Sequence, residues 1–168
     1  MSEAKRAVAL IGAPGSGKST VGRLLAEALG QDFVDVDAAI EAAEQQTIAD
    51  IFVTHGEPHF RQVEETATIV NLQRGGVVAL GGGAIMNADI RDELKAHDVV
   101  LLECSISTLT KRVGMDTARP LLLGNVRGQL VQLLNARTPL YRECATITVK
   151  TDDRDPGDIV AEILEQLT

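Results

Sequence analysis

The sequence predicts an α/β domain, a parallel sheet with helices packed on both faces. Three observations carry that expectation. Short apolar runs alternate with amphipathic helical patterns from Ala7 to Leu167, as happens when parallel strands are joined by crossover helices. The chain has 168 residues and is 45% hydrophobic, enough to bury one core in one domain, 1–168, without covalent staples. Three segments of unusual composition, residues 12–20, 35–37 and 81–83, each follow a strand-like run, and open α/β sheets bind ligands at the carboxyl ends of their strands.

The elements follow in order. Residues 7–11 form a short β-like run, and residues 18–29 place Val21, Leu24, Leu25, Ala28 and Leu29 on one helical stripe. Residues 32–35 read as the second strand and 38–44 as a short helix. Residues 48–55 and 57–73 read as two helices hinged at Gly56. Residues 77–80 are a buried strand running into three glycines. Helix 89–95, strand 99–103, helices 105–113 and 127–137, and strand 145–151 come next. Residues 157–167 close the chain with Ile159, Val160, Ile163, Leu164 and Leu167 facing inward.

Composition narrows the function. The formal net charge is −8 and no Lys/Arg-rich run occurs, which argues against general binding to nucleic acid or anionic membranes. No stretch approaches the roughly 20 apolar residues of a membrane span, and the short polar start lacks a signal-peptide core. A soluble, cytoplasmic protein is expected. Cys104 and Cys144 show neither CxxC nor metal spacing and read as free thiols. His55 and His97 read as ordinary surface or core histidines without a partner. Aromatics are only 2% of the chain, so Val, Leu, Ile and Ala must build the core.

Gly12, Ala13, Pro14, Gly15, Ser16, Gly17, Lys18, Ser19 and Thr20 carry the pattern GxxxxGK[ST] between a strand and a helix, the context of a P-loop. Such a loop turns backbone N–H groups around phosphates and adds the positive end of a helix. Lys18 is expected at the β- and γ-phosphates of a bound nucleotide, and the Ser19 hydroxyl on Mg2+. Many kinases and GTPases share this loop, so the acceptor has to be read elsewhere.

Asp35 and Asp37 flank Val36 after the second strand. One carboxylate can hold magnesium while the other accepts a proton from an attacking hydroxyl. Helix capping is the competing account of Asp37, which precedes the helical run from Ala38. Gly81, Gly82 and Gly83 point to close approach of backbone and ligand, although a tight turn would also use them. Arg61, Arg119 and Arg137 each occupy a distinctive local setting, Phe60-Arg61, Arg119-Pro120-Leu121-Leu122 and Arg137-Thr138-Pro139-Leu140-Tyr141. Arginine is suited to bidentate recognition of carboxylate or phosphate.

Taken as an ordered set from about Ala7 to Leu167, these motifs, with Gly56-Glu57, resemble the shikimate kinase family. The resemblance implies a five-stranded P-loop fold of the nucleoside-monophosphate-kinase type, with a mobile lid at about 113–125. It implies ATP-dependent phosphorylation of shikimate, in aromatic amino-acid biosynthesis, by a monomer. By the same resemblance Lys18 and Ser19 bind phosphates and magnesium, and Asp35 assists the metal. Asp37 holds shikimate hydroxyls and is the base. Arg61 and Arg137 grip the carboxylate, and the backbone of Gly81, Gly82 and Gly83 contacts the ring. Phe52 and Phe60 wall that pocket, Arg119 closes over the phosphates, and Arg112 and Arg154 flank adenine. His59 departs from the family's usual residue beside Phe60 and reads as a pocket-rim substitution. The alternatives are another P-loop metabolite kinase, such as a gluconate or adenylate kinase, and a nucleotide-binding module without catalysis.

Overall fold

Alternation along each strand sorts the apolar residues onto two faces, and that sorting builds the molecule. The computed structural model describes residues 6–114 and 126–167. Its five strands are β1 (Ala7–Ile11), β2 (Phe33–Asp35), β3 (Gly76–Ala79), β4 (Asp98–Glu103) and β5 (Ile147–Lys150). They form one sheet in the order β2-β3-β1-β4-β5, every pairing parallel. β1 is central, with Ala9 opposite Val78 on one side and Val99 on the other.

One face presents Ala7, Ala9, Ile11, Val78, Leu80, Val99 and Leu101. Packed on it are α2 (Val36–Glu44), α3 (Ile48–His55), α4 (Glu57–Arg74), α5 (Ala88–Leu94) and α7 (Val126–Cys144), through Ile40, Ile51, Leu72, Ile90 and Tyr141 among others. The opposite face presents Val8, Leu10, Val77, Ala79, Val100 and Leu102 to α1 (Lys18–Leu29) and α8 (Pro156–Leu167). Val21, Leu25, Ile159, Val160 and Ile163 meet it there. Each large aliphatic side chain so buried contributes about 1.5–3 kcal/mol, and these are the residue types the composition leaves to build a core. α6 (Ile106–Gly114) packs Leu109 with Ala13 and Leu130 in a smaller cluster beside the P-loop.

The structure corrects four expectations. α2 begins at Val36 and not at Ala38, because Asp35 caps it: its Oδ1 accepts from Ala38 N at 3.2 Å. α7 does not stop at Arg137 but runs through Pro139 to Cys144. An interior proline costs a helix about 3 kcal/mol. Continuing the helix buries Tyr141 in the core, with Leu140 and Cys144 packed against it, and that tertiary gain offsets the local penalty. A short 3-10 turn, Ala84–Met86, follows the three glycines and was not anticipated.

The fourth correction is His97, which is buried and has two partners. Its Nδ1 accepts from Ala7 N at 2.9 Å, and its Nε2 lies 2.8 Å from Glu93 Oε2. Acceptance at Nδ1 fixes the neutral tautomer with its proton on Nε2, donated to Glu93. The imidazole thereby pins the start of β1 to α5. His97→Ala should cost about 2–4 kcal/mol in chemical denaturation, since it opens a cavity and leaves a buried N–H without its acceptor. Unchanged stability would show that water replaces the ring without loss.

Candidate active site

β1 delivers the loop of residues 12–17 to the carboxyl edge of the sheet, and α1 leads away from it. Gly12 has φ +149°, and a Cβ there would lie 2.7 Å from Leu102 O, so only glycine fits against β4. Gly17 caps α1 without any side-chain hydrogen bond, which leaves the first-turn N–H groups available to an anion. Ser16 Oγ is buried and has no hydrogen-bond partner among the described residues. An orphaned hydroxyl of that kind costs about 1–3 kcal/mol, and a phosphate oxygen is a chemically suitable acceptor. Lys18 Nζ is folded back onto Gly12 O at 2.8 Å and Ala13 O at 3.0 Å.

Ser19 Oγ donates to Asp35 Oδ2 at 2.6 Å. Two hard oxygen donors are thus adjacent beside the loop, a partial set that suits Mg2+, which keeps waters and takes substrate phosphates for the rest of its octahedron. No group of three or more His, Cys, Asp or Glu among the described residues could hold a metal ion by itself.

Asp37 lies in the first turn of α2, not at the strand end, and Asp35 performs the capping that offered the rival account of Asp37. Burial pushes its carboxyl up to about 6, with Asp35, Glu64 and Glu41 adding to the rise and Lys18 opposing it. A base of that strength is poised for proton transfer near neutral pH. A cleft of about 810 Å³ runs from Lys18 and Ser19 past Asp35 and Asp37 to Gly82.

The three glycines are the floor on which the remaining groups converge. A Cβ at Gly81 would lie 2.7 Å from Asp37 Oδ1 and 3.1 Å from Glu64 Oε2. One at Gly82 would lie 3.3 Å from Arg137 Nη1, and one at Gly83 would lie 2.9 Å from Arg61 Nη1. At Gly82 the Pro14 ring would be met first, at 3.0 Å. The loop also turns, with Ala84 N donating to Gly81 O at 3.1 Å, so the glycines serve both the turn and the close approach of the acid and the arginines. Glu64, buried on α4, holds Arg61 Nη1 at 2.7 Å, and Arg61 stacks over the Phe60 ring at 5.3 Å. Glu64 was not anticipated; its signal was an acid three residues after Arg61 on one helix face.

The remaining expected residues divide. Phe52 and Phe60 contact each other, with ring centroids 4.9 Å apart. Phe60 is in the core beneath Arg61, and neither ring lines the cleft; nor do Arg61 and Arg137, which border a second hollow of about 540 Å³ with Glu57 and Met86. Arg112 and Arg154 do come together, on a cavity of about 300 Å³ with Gly15, Thr20 and Pro156. Arg112 Nη1 donates to Gly15 O at 2.8 Å, and Arg154 is held by Glu162 at 2.8 Å. Arg119, like residues 115–125 of the expected lid, lies outside the described residues.

Comparison with known proteins bears on this arrangement. The family model for shikimate kinase matches residues 14–168. The shikimate kinase of Thermobifida fusca (strain YX) is 50% identical over 159 residues, 94% of this chain and 92% of the relative. Among solved structures, shikimate kinase from Acinetobacter baumannii in complex with shikimate superposes with a TM-score of 0.92 at 39% identity, covering 98% of this chain and 94% of that one. A gluconokinase from Sinorhizobium meliloti 1021 has a TM-score of 0.56 at 24% identity, covering 99% of this chain and 93% of that one, a likeness of fold alone.

Proposed function

The chain belongs to the shikimate kinase family and phosphorylates shikimate at the expense of ATP, and on that premise we propose how its residues divide the work. One observation carries the reading: Asp37, Arg137 and Arg61 each approach a different member of the Gly81–Gly82–Gly83 series, and Asp37 and Gly82 also line the cleft that begins at the P-loop.

Arg61 and Arg137 clamp the shikimate carboxylate, and the ring rests on the glycine backbone. That placement turns one ring hydroxyl toward Asp37 and the phosphate loop. The hydroxyl oxygen attacks the γ-phosphorus, the bond to the β–γ bridging oxygen breaks, and ADP leaves. Asp37 takes the hydroxyl proton, and shikimate 3-phosphate is the product. Lys18 exchanges its loop carbonyls for phosphate oxygens and follows the charge as it moves to the leaving group. Ser19 and Asp35 would hold magnesium, which supplies charge neutralisation at the phosphates when bound. Arg112 and Arg154 flank the adenine, and Arg119 is assigned to the phosphates by family resemblance. Phe60 serves the pocket by seating Arg61, and Phe52 by supporting Phe60.

The finer parts of the reading are a single domain acting as a monomer in the cytoplasm, with no nucleic-acid or membrane partner. A net charge of −8 without a basic run supports the last of these. No described helix is long and apolar enough to cross a membrane.

The acceptor assignment is tested at Arg61. A charge-assisted hydrogen bond to a carboxylate is worth about 1.5–3 kcal/mol, so Arg61→Ala should cost roughly ten- to a hundredfold in kcat/KM for shikimate. ATP affinity measured without shikimate should barely change. An analogue with the carboxylate reduced to an alcohol should be a poor substrate, and the mutation should add little to its penalty. Equal losses with both acceptors would make Arg61 a structural residue.

A further inference from the structure

Tyr141 is buried on α7, its ring in the main core, yet its hydroxyl leaves that core to donate to Gly82 O at 2.6 Å. The neighbouring carbonyls are satisfied differently. Gly81 O accepts from Ala84 N, and Gly83 O accepts from Met86 N, both at 3.1 Å and both within the loop's own turns. Gly82 O is therefore the carbonyl of this loop that a distant helix holds.

A peptide unit is planar and trans, so its C=O and the following N–H point in opposite directions. Drawing Gly82 O toward α7 turns the Gly83 N–H to the other side of the loop. That N–H has no backbone acceptor among the described residues. Arg137, one helical turn before Tyr141, stands against Gly82; burial raises the phenol's pKa, and the nearby Arg137 charge opposes that rise. Tyr141 thus lies between the helix that carries one proposed carboxylate ligand and the backbone that carries the proposed ring contact.

We propose that Tyr141 is a positioning residue for the acceptor: its hydroxyl sets the orientation of the Gly82–Gly83 peptide relative to Arg137, and so presents the Gly83 N–H to shikimate. This rests on the reading that Arg137 and the three glycines receive the acceptor. The residue acts through the backbone and touches no reacting atom.

Tyr141→Phe removes the hydroxyl and keeps the buried ring. Shikimate KM should rise about 5- to 20-fold, kcat should fall less than threefold, and ATP KM should stay within twofold. A hydroxyl that merely stabilised the fold would leave that split absent in the folded protein. Unchanged constants, or equal losses for both substrates, overturn the proposal. Arg137→Ala, assayed alongside, separates the two levels. If it raises shikimate KM while Tyr141→Phe does nothing, the inference fails and the acceptor reading stands. If Arg137→Ala leaves shikimate KM unchanged, the acceptor reading fails and takes the inference with it. Tyr141 is also the single tyrosine of a chain without tryptophan, so the unmodified protein supplies a readout should the variant not fold. Shikimate should change the tyrosine fluorescence on binding, and a signal blind to saturating shikimate overturns the proposal.

Discussion

Lys18→Ala should reduce turnover by about 10³-fold or more while leaving the fold intact. The lysine supplies the point charge that accompanies the phosphoryl group, and removing one preorganised electrostatic contact of this kind typically costs about 10²–10³ in kcat. Phosphoryl transfer depends almost wholly on such contacts, which places Lys18 at or beyond the upper end. In the structure Nζ is bound to Gly12 O and Ala13 O. These carbonyls lose a partner in the variant, so a modest fall in stability accompanies the loss. Circular dichroism and thermal melting separate that effect from catalysis. A folded Lys18→Ala protein with near-wild-type kcat would refute the phosphate assignment.

Asp37→Asn should lower kcat by about 10²-fold, the low end of general-base effects, because a loose phosphoryl transition state releases the hydroxyl proton late. Shikimate binding should weaken as well. Capping cannot account for such a loss, since Asp35 is the cap of α2. The wild-type pH profile of kcat/KM should fall on its acid side with an apparent pKa near 6, where Asp37 gains a proton.

Stability should respond in the opposite sense to activity. The folded carboxyl titrates near 6 and the unfolded one near 3.9. Between these values the folded chain binds more protons, so this group makes stability fall as pH rises from about 4 to about 6. Above about 6 the ionised carboxylate is a standing cost on the order of 1–3 kcal/mol. Asp37→Asn should therefore melt higher than wild type at pH 7–8, and the difference should vanish near pH 4. An inactive variant that is also less stable at pH 8 would contradict the buried-carboxylate account.

Much of the fold was legible in local pattern. Residues 7–11 and 18–29 were read with the bounds the structure has, because an apolar run and a 3.6-residue stripe are local signals. The P-loop was legible because its glycines, lysine and serine act within one short stretch whose backbone geometry they themselves require. Arg61, Arg137 and the glycines were legible only as an ordered set resembling a family. Glu64 lacked a signal strong enough to separate it from a solvated helical acid.

The sequence by itself determined the alternation of strands and helices, the phosphate loop, and which residue types carry the chemistry. Tertiary structure decided which of two aspartates caps a helix and which is left as a partly buried acid near Glu64, Glu41 and Lys18. It also carried α7 past Pro139, because the burial of Tyr141 outweighs a missing backbone hydrogen bond. It gave His97 its partners on β1 and α5, and it brought Asp37, Arg137 and Arg61 onto three consecutive glycines. The physical reason is common to all four. Burial, charge coupling and packing depend on neighbours distant in the chain, and those neighbours exist only once the sheet has assembled.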